Sequence, residues 1–177
     1  LKEQGYQVIG LFMRNWREED SHGHCSAQED YNDVAATASI LGIPYQTVDF
    51  SKEYWDDVFS KFLRDIQKGL TPNPDILCNQ FIKFDAFYKK AKALGADYIA
   101  TGHYCQTDGF SLLKGADPLK DQSYFLHAID GKVLKDVLFP VGHLKKVEIR
   151  RIAEQAGFSV SQKKDSTGIC FIGERKF

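Results

Sequence analysis

Asp75 and Cys78 stand three residues apart in the stretch Thr71 to Phe84, T-P-N-P-D-I-L-C-N-Q-F-I-K-F. A carboxylate and a thiol at that spacing share one face of a helix. Pro72 and Pro74 each fix their own φ and bias the preceding residue away from helical values, so the chain is expected to be extended up to Asp75 and helical only after the prolines. Asp75 then falls near the first helical turn. Backbone N–H groups exposed at a helix N-terminus favour anions, which lowers a nearby thiol pKa and makes thiolate available near neutral pH. Free cysteines usually pack as small hydrophobes. Here Ile76 and Leu77 are expected to do the packing while Pro-Asn-Pro-Asp gives Cys78 a polar mouth.

A second cysteine with unusual surroundings is Cys170, between Gly168 and Gly173 in K-K-D-S-T-G-I-C-F-I-G-E-R-K-F. Flanking glycines permit close backbone approach and movement. Asp165 and Ser166 do not make a hydrolase, because there is no G-x-S-x-G elbow and no placed histidine. His22, His24 and Cys25 invite a metal reading, but H-x-H-C without a second ligand cluster does not complete a site, and no metal is expected.

The 177 residues, 43% hydrophobic and 27% charged, suit one globular domain with a sizeable core. A formal net charge of -1 excludes wholesale electrostatic binding to nucleic acid and leaves only a local patch, for which Lys145, Lys146, Arg150 and Arg151, then Lys163, Lys164, Arg175 and Lys176, supply cations. Most of the basic residues of the 145–156 helix read as a solvated face. Four scattered cysteines, at 25, 78, 105 and 170, do not form a disulfide framework and fit a reducing compartment. No apolar run approaches the ~20 residues needed to span a bilayer, so no membrane is expected.

Helix, glycine, short β-rich strand and polar loop recur along the chain. Leu1 to Gln4 ends a helix stopped by Gly5, and Tyr6 to Met13 is a buried strand. Ser26 with Glu29 makes a capping box, and Tyr31, Val34, Ala35, Ala38 and Leu41 keep helical spacing up to Gly42. A strand over Pro44 to Phe50 follows. Then comes an amphipathic helix whose stripe of Trp55, Val58, Phe59, Phe62, Leu63 and Ile66 reads as core, with Gly69 as its stop. A third helix begins after the Pro-Asn-Pro-Asp loop and ends near Gly95, before a strand over Tyr98 to Thr101. Phe110 to Lys114 and Phe139 to Val141 are further short strands, Tyr124 to Leu126 is helical, and Lys145 to Ala156 is a helix stopped by Gly157. This alternation predicts an α/β fold, a parallel sheet with helices on both faces. Ligands of such sheets sit beyond the strand carboxyl ends, where Met13 and Gly102 both lie.

Four motifs in this order, T-P-N-P-D-I-L-C-N-Q-F-I-K-F, A-T-G-H-Y, K-D-Q-S-Y-F-L and D-S-T-G-I-C-F-I-G-E-R, resemble the tRNA-specific 2-thiouridylases, as does G-L-F-M-R-N-W near the start. The resemblance covers essentially the whole chain. It implies a Rossmann-like, adenine nucleotide alpha hydrolase-like fold and an ATP-dependent sulfurtransferase that 2-thiolates the wobble uridine of tRNA. By motif match Cys170 is the cysteine that carries a persulfide from a donor protein, Cys78 the cysteine that assists, and Asp75 the acid/base residue. Asn73, Pro74 and Asp75 match the contact with the flipped target base, Lys120, Asp121 and Gln122 a further tRNA contact, and Met13 and Gly102 positions that hold the nucleotide. The family's S-G-G-x-D-S loop, through which Mg²⁺ is expected to act, should precede Leu1, and a barrel region should follow Phe177. The chain therefore reads as a fragment, inactive alone, with a nucleotide-binding α/β domain over 1–142 and a helix and linking region over 143–177. A monomer is expected, in a bacterial cytoplasm or an organelle matrix.

Two other classes compete. A thiol-disulfide oxidoreductase would use Cys78 and Cys170, but such enzymes usually place their cysteines as C-x-x-C. A nucleotide-binding module without catalysis would leave both cysteines unexplained.

Overall fold

The computed structural model describes residues 1–16 and 26–163. Strands β1 (Gly10–Arg14) and β2 (Tyr45–Asp49) pair in parallel from Gly10 opposite Tyr45 to Arg14 opposite Asp49, and helix α1 (Ser26–Leu41) makes the crossover between them. Gly42, at φ 60°, ends that helix in the left-handed conformation glycine adopts without a Cβ clash.

A continuous helix over 51–67 follows, in which Trp55–Phe59 adopts wider, π-type turns. Another continuous helix runs over 74–93, with Cys78–Ala86 in the same wider geometry. Strand β3 (Ile99–Ala100) pairs in parallel with β6 (Val137–Leu138). Between them lies an antiparallel hairpin of β4 (Cys105–Thr107) and β5 (Leu112–Lys114). Its turn is held by Asp108, whose Oδ1 accepts from the N–H groups of Ser111 and Phe110 at 2.7 and 2.8 Å. The last long helix, α2 (Lys146–Gln155), packs on the turn over Ser159–Gln162.

The helix over 74–93 organises the interior. Its Cys78 and Ile82 join Phe50, Tyr54 and Val58 in one buried cluster, while its Phe84 and Ala91 join Ile99, Cys105, Leu126, Val133, Leu134, Val137 and Phe139 in a second. Phe87 packs against both. Each fully buried large aliphatic side chain, such as Val58 or Ile82, contributes about 2 kcal/mol. Replacing either by alanine would loosen the contact between the helices over 51–67 and 74–93.

Several expectations change. The parallel pairing expected of the α/β fold is present as two strand pairs, β1–β2 and β3–β6, although no ladder among the described residues joins β1 to β3. The rings of Tyr6 and Tyr98, which precede those strands, nevertheless meet edge to face at 6.4 Å. The stripe over 51–67 is only partly core: Val58 is buried, but Trp55, Leu63 and Ile66 are exposed, Trp55 at 49%. The wider turns at 55–59 shift the helical phase, so Tyr54 and Val58 face inward and Trp55 turns out. The strand expected over Phe139 to Val141 lies at Val137–Leu138, and β4 is a strand that the sequence reading did not include. Among the described residues no helix is long and apolar enough to cross a membrane.

Candidate active site

Asn73 caps the helix that carries Asp75 and Cys78. Its backbone is extended, and its Oδ1 accepts the Asp75 N–H at 3.0 Å. Pro74 occupies the first helical position, so the helix begins at the proline rather than after it. The missing N–H costs nothing there, since that position has no intrahelical acceptor, and the proline φ is already helical. The Cys78 N–H closes the first turn by donating to the carbonyls of Asp75 and Pro74. Asp75 is half-buried at this end.

Cys78 itself does not sit in a polar mouth. It is 2% exposed within the cluster of Phe50, Tyr54, Val58 and Ile82, while Ile76 and Leu77 are only half-buried. The four-residue step from Cys78 to Ile82 puts the thiol on the face turned toward Tyr54 and Val58. Chemistry at this sulfur requires its cover to shift.

Met13, near the end of β1, packs against the same cluster as Cys78, as does Trp16. The Trp16 ring lies 5.0 Å from Phe59 and stacks on Trp55 at 5.9 Å. Gly102 follows β3 and is exposed, with open space where a Cβ would project. Beside it, the hydroxyl of Thr101 and Nδ1 of His103 lie 2.9 Å apart, and the His103 ring sits 5.7 Å from Phe84 on the helix that bears Cys78. One helix thus touches both segments assigned to the nucleotide. Burial, with a smaller contribution from the Lys83 charge, pushes His103 down to about 3, so its imidazole is neutral. His103 was passed over in sequence, although A-T-G-H-Y at a strand end was its signal.

The Lys120–Gln122 segment is fastened from within. Asp121 Oδ1 accepts from the N–H groups of Gly115 at 2.8 Å and Ser123 at 3.3 Å, and its Oδ2 from the Ser123 hydroxyl at 2.9 Å. Burial pushes this carboxyl up, but those hydrogen bonds more than offset it and hold the group below the ordinary range. Gln122 Oε1 accepts the Tyr104 N–H at 3.0 Å. The Asp121 and Gln122 side chains therefore shape the loop, a role that their spacing alone does not reveal.

Cys105 is fully buried, and burial together with the nearby Asp121 charge pushes its thiol up to about 12. It is inert at neutral pH. Cys170, Asp165, Ser166 and the His22, His24, Cys25 group lie outside the described residues. No group of three or more possible ligands is placed to hold a metal ion among the described residues.

A family model described as the tRNA methyl transferase HUP domain matches residues 1–174. This chain belongs to that family. The two parallel strand pairs and their helices are accordingly parts of a Rossmann-like nucleotide alpha hydrolase fold, and the HUP domain's helix over 74–93 is the element on which its candidate site is assembled. Relatives of this HUP domain include the tRNA-specific 2-thiouridylase MnmA 2 of Geobacillus kaustophilus (strain HTA426), 56% identical over 181 residues, covering 100% of this chain and 49% of the relative. The tRNA-specific 2-thiouridylase MnmA of Lactococcus lactis subsp. cremoris (strain MG1363) is 58% identical over 182 residues, covering 100% of this chain and 48% of the relative. That of Shouchella clausii (strain KSM-K16) is 58% identical, covering 100% and 50%. The chain spans about half the length of these curated relatives.

Proposed function

We propose that this HUP domain is the catalytic part of a tRNA 2-thiouridylase, an ATP-dependent sulfurtransferase acting on the wobble uridine. The observation that carries the proposal is the match of the whole of this chain, at 56 to 58% identity, to about half the length of relatives bearing that name. The helix over 74–93 supports it: Met13 packs on the cluster that holds its Cys78, and its Phe84 lies 5.7 Å from the ring of His103 beside Gly102.

The uridine C2 carbonyl is a poor electrophile, and adenylation of its oxygen turns it into a phosphate leaving group. Met13 and Gly102 are the positions in this chain that would hold the nucleotide. The open face at Gly102 leaves room for it, and the neutral His103 beside it adds no charge. The target base has to leave its stack to be modified, and the capped Asn73–Pro74–Asp75 turn would receive it, with Asp75 handling protons. Sulfur arrives as a persulfide on Cys170, loaded by a donor protein. By one route Cys78 displaces AMP from C2 and is itself displaced there by the terminal sulfur of the Cys170 persulfide, whose S–S bond the Cys78 thiolate then cleaves to free the 2-thiouridine. By the other it attacks the Cys170 sulfur first and releases hydrosulfide, which displaces AMP from C2. Both routes leave a Cys78–Cys170 disulfide that a thiol reductant reopens. The bacterial origin of the relatives supports a cytoplasmic setting.

The test is complementation of a thiouridylase-deficient cell with intact protein carrying Cys78→Ala or Cys170→Ala, read by mass spectrometry of tRNA nucleosides. No 2-thiouridine is expected from either. Normal thiolation from one of them would sink the mechanism. Burial of Cys78 favours one competitor, a nucleotide-binding module without sulfur chemistry, under which even the intact wild-type protein would fail to restore 2-thiouridine.

A further inference from the structure

Asn79, next to Cys78, is a buried polar side chain at 3% exposure. Its Nδ2 donates to the Phe125 carbonyl at 3.3 Å, while its buried Oδ1 has no hydrogen-bond partner. The Phe125 carbonyl decides which way the amide faces, because turning it over would set two acceptors against each other. A buried amide with half its capacity unmet costs stability, and leucine would fill the same space without that cost. Packing therefore does not account for asparagine here. Its bond to Phe125 does.

Phe125 ends the short turn Ser123–Phe125, which directly follows Lys120–Gln122. The Phe125 N–H donates to the Gln122 carbonyl at 3.0 Å, and the Gln122 N–H donates to the Tyr104 carbonyl at 3.0 Å. A hydrogen-bonded path therefore runs from the residue beside Cys78, through the 120–125 loop, to Tyr104, two residues beyond Gly102 and directly before β4. A side chain anchored at the start of one element and bonded to the backbone of another holds the two in fixed relation, which is what reaction geometry demands.

We propose that Asn79 is a positioning residue that locks the Cys78 helix to the 120–125 loop, so that engagement of tRNA at the loop and placement of the thiol are geometrically linked. The functional half of this proposal rests on the thiouridylase reading; the mechanical half does not. The loop keeps its own anchors through Asp121 and Gln122, so loss of Asn79 misplaces sulfur more than it weakens tRNA binding.

The experiment uses Asn79→Leu, which keeps volume without a donor, and Asn79→Asp, which is nearly isosteric and as a carboxylate only accepts. Amide exchange at Phe125 and Leu126 is expected to quicken about tenfold in both, with the β1–β2 ladder unchanged. Coupling must act in both directions, so Gln122→Ala should speed alkylation of Cys78 several-fold, by roughly threefold or more. In the intact protein, kcat for thiolation should fall about tenfold or more, with KM for tRNA within about twofold. Unchanged exchange, or acceleration shared by the β1–β2 ladder, overturns the proposal, the second outcome marking Asn79 as merely structural. If exchange and alkylation respond as expected while the intact wild type makes no 2-thiouridine, the lock stands and the thiouridylase reading falls.

Discussion

Gln122 and Tyr104 exchange two hydrogen bonds: Gln122 Oε1 accepts the Tyr104 N–H at 3.0 Å, and the Gln122 N–H donates to the Tyr104 carbonyl at 3.0 Å. A side-chain amide has taken the place of a strand neighbour at the entrance to β4. Tyr104 is buried, and the ammonium of Lys146 lies 5.3 Å from its ring. The loop read as a tRNA contact is therefore also part of the frame that holds the site.

This separates two variants of one residue. Gln122→Glu keeps an acceptor for the Tyr104 N–H and should unfold in urea close to the wild-type midpoint. Gln122→Ala strands a buried donor and should lose about 1 to 3 kcal/mol. Equal stability of both would mean that the bond contributes nothing.

Two glycines press on the backbone of Tyr104 and Cys105. A Cβ at Gly142 would fall on the carbonyl oxygen of Cys105, and one at Gly115 on that of Tyr104. Gly142→Ala forces backbone to move and should cost about 3 kcal/mol or prevent folding. Gly131→Ala, whose added methyl meets nothing within 4 Å, is the control and should lose little. Denaturant midpoints of the two decide the matter.

Legibility followed the range of the interactions involved. Gly42, Gly95 and Gly157 all take positive φ as the stops that local pattern demanded, and the Asn73–Cys78 turn is a local matter of cap, proline and spacing. The burial of Cys78 is not local, because it depends on Tyr54 and Val58 in another helix and on wider turns that change the phase of both helices. The same holds for Asp121, Gln122 and Asn79, whose acceptors and donors belong to Gly115, Tyr104 and Phe125. Composition and periodicity carry no record of those pairings.

His103 gives the fold a pH dependence of known sign. Its folded value, about 3, lies below the ordinary 6.5, so the unfolded chain binds more protons between those limits. Its contribution is complete above about pH 6.5 and is lost as pH falls toward 3, at up to about 1.4 kcal/mol per unit. Urea titrations from pH 4 to 7 should show that slope in the wild type and a shallower one in His103→Asn. Parallel slopes would show that the imidazole takes up its proton without disturbing the fold.

Cys78 and Cys105 are both buried thiols, yet they should behave differently once tRNA is present. Cys105 sits in the second core cluster and is held protonated, with its thiol at about 12. Cys78, although covered by Tyr54 and Val58, sits one turn into a capped helix start whose Asn73 is exposed and Asp75 half-buried, and it is expected to be uncovered when tRNA engages that turn. Alkylation by iodoacetamide at pH 8, mapped by peptide mass spectrometry, should be slow at both residues without tRNA. On binding of tRNA to the intact protein, modification of Cys78 should accelerate about tenfold while Cys105 stays silent, because reactivity follows access as well as thiolate character. Cys105→Ser should leave thiolation near the wild-type level. A Cys78 that remains as slow as Cys105 with tRNA bound would be a core thiol, and the chemistry would have to rest on Cys170 alone.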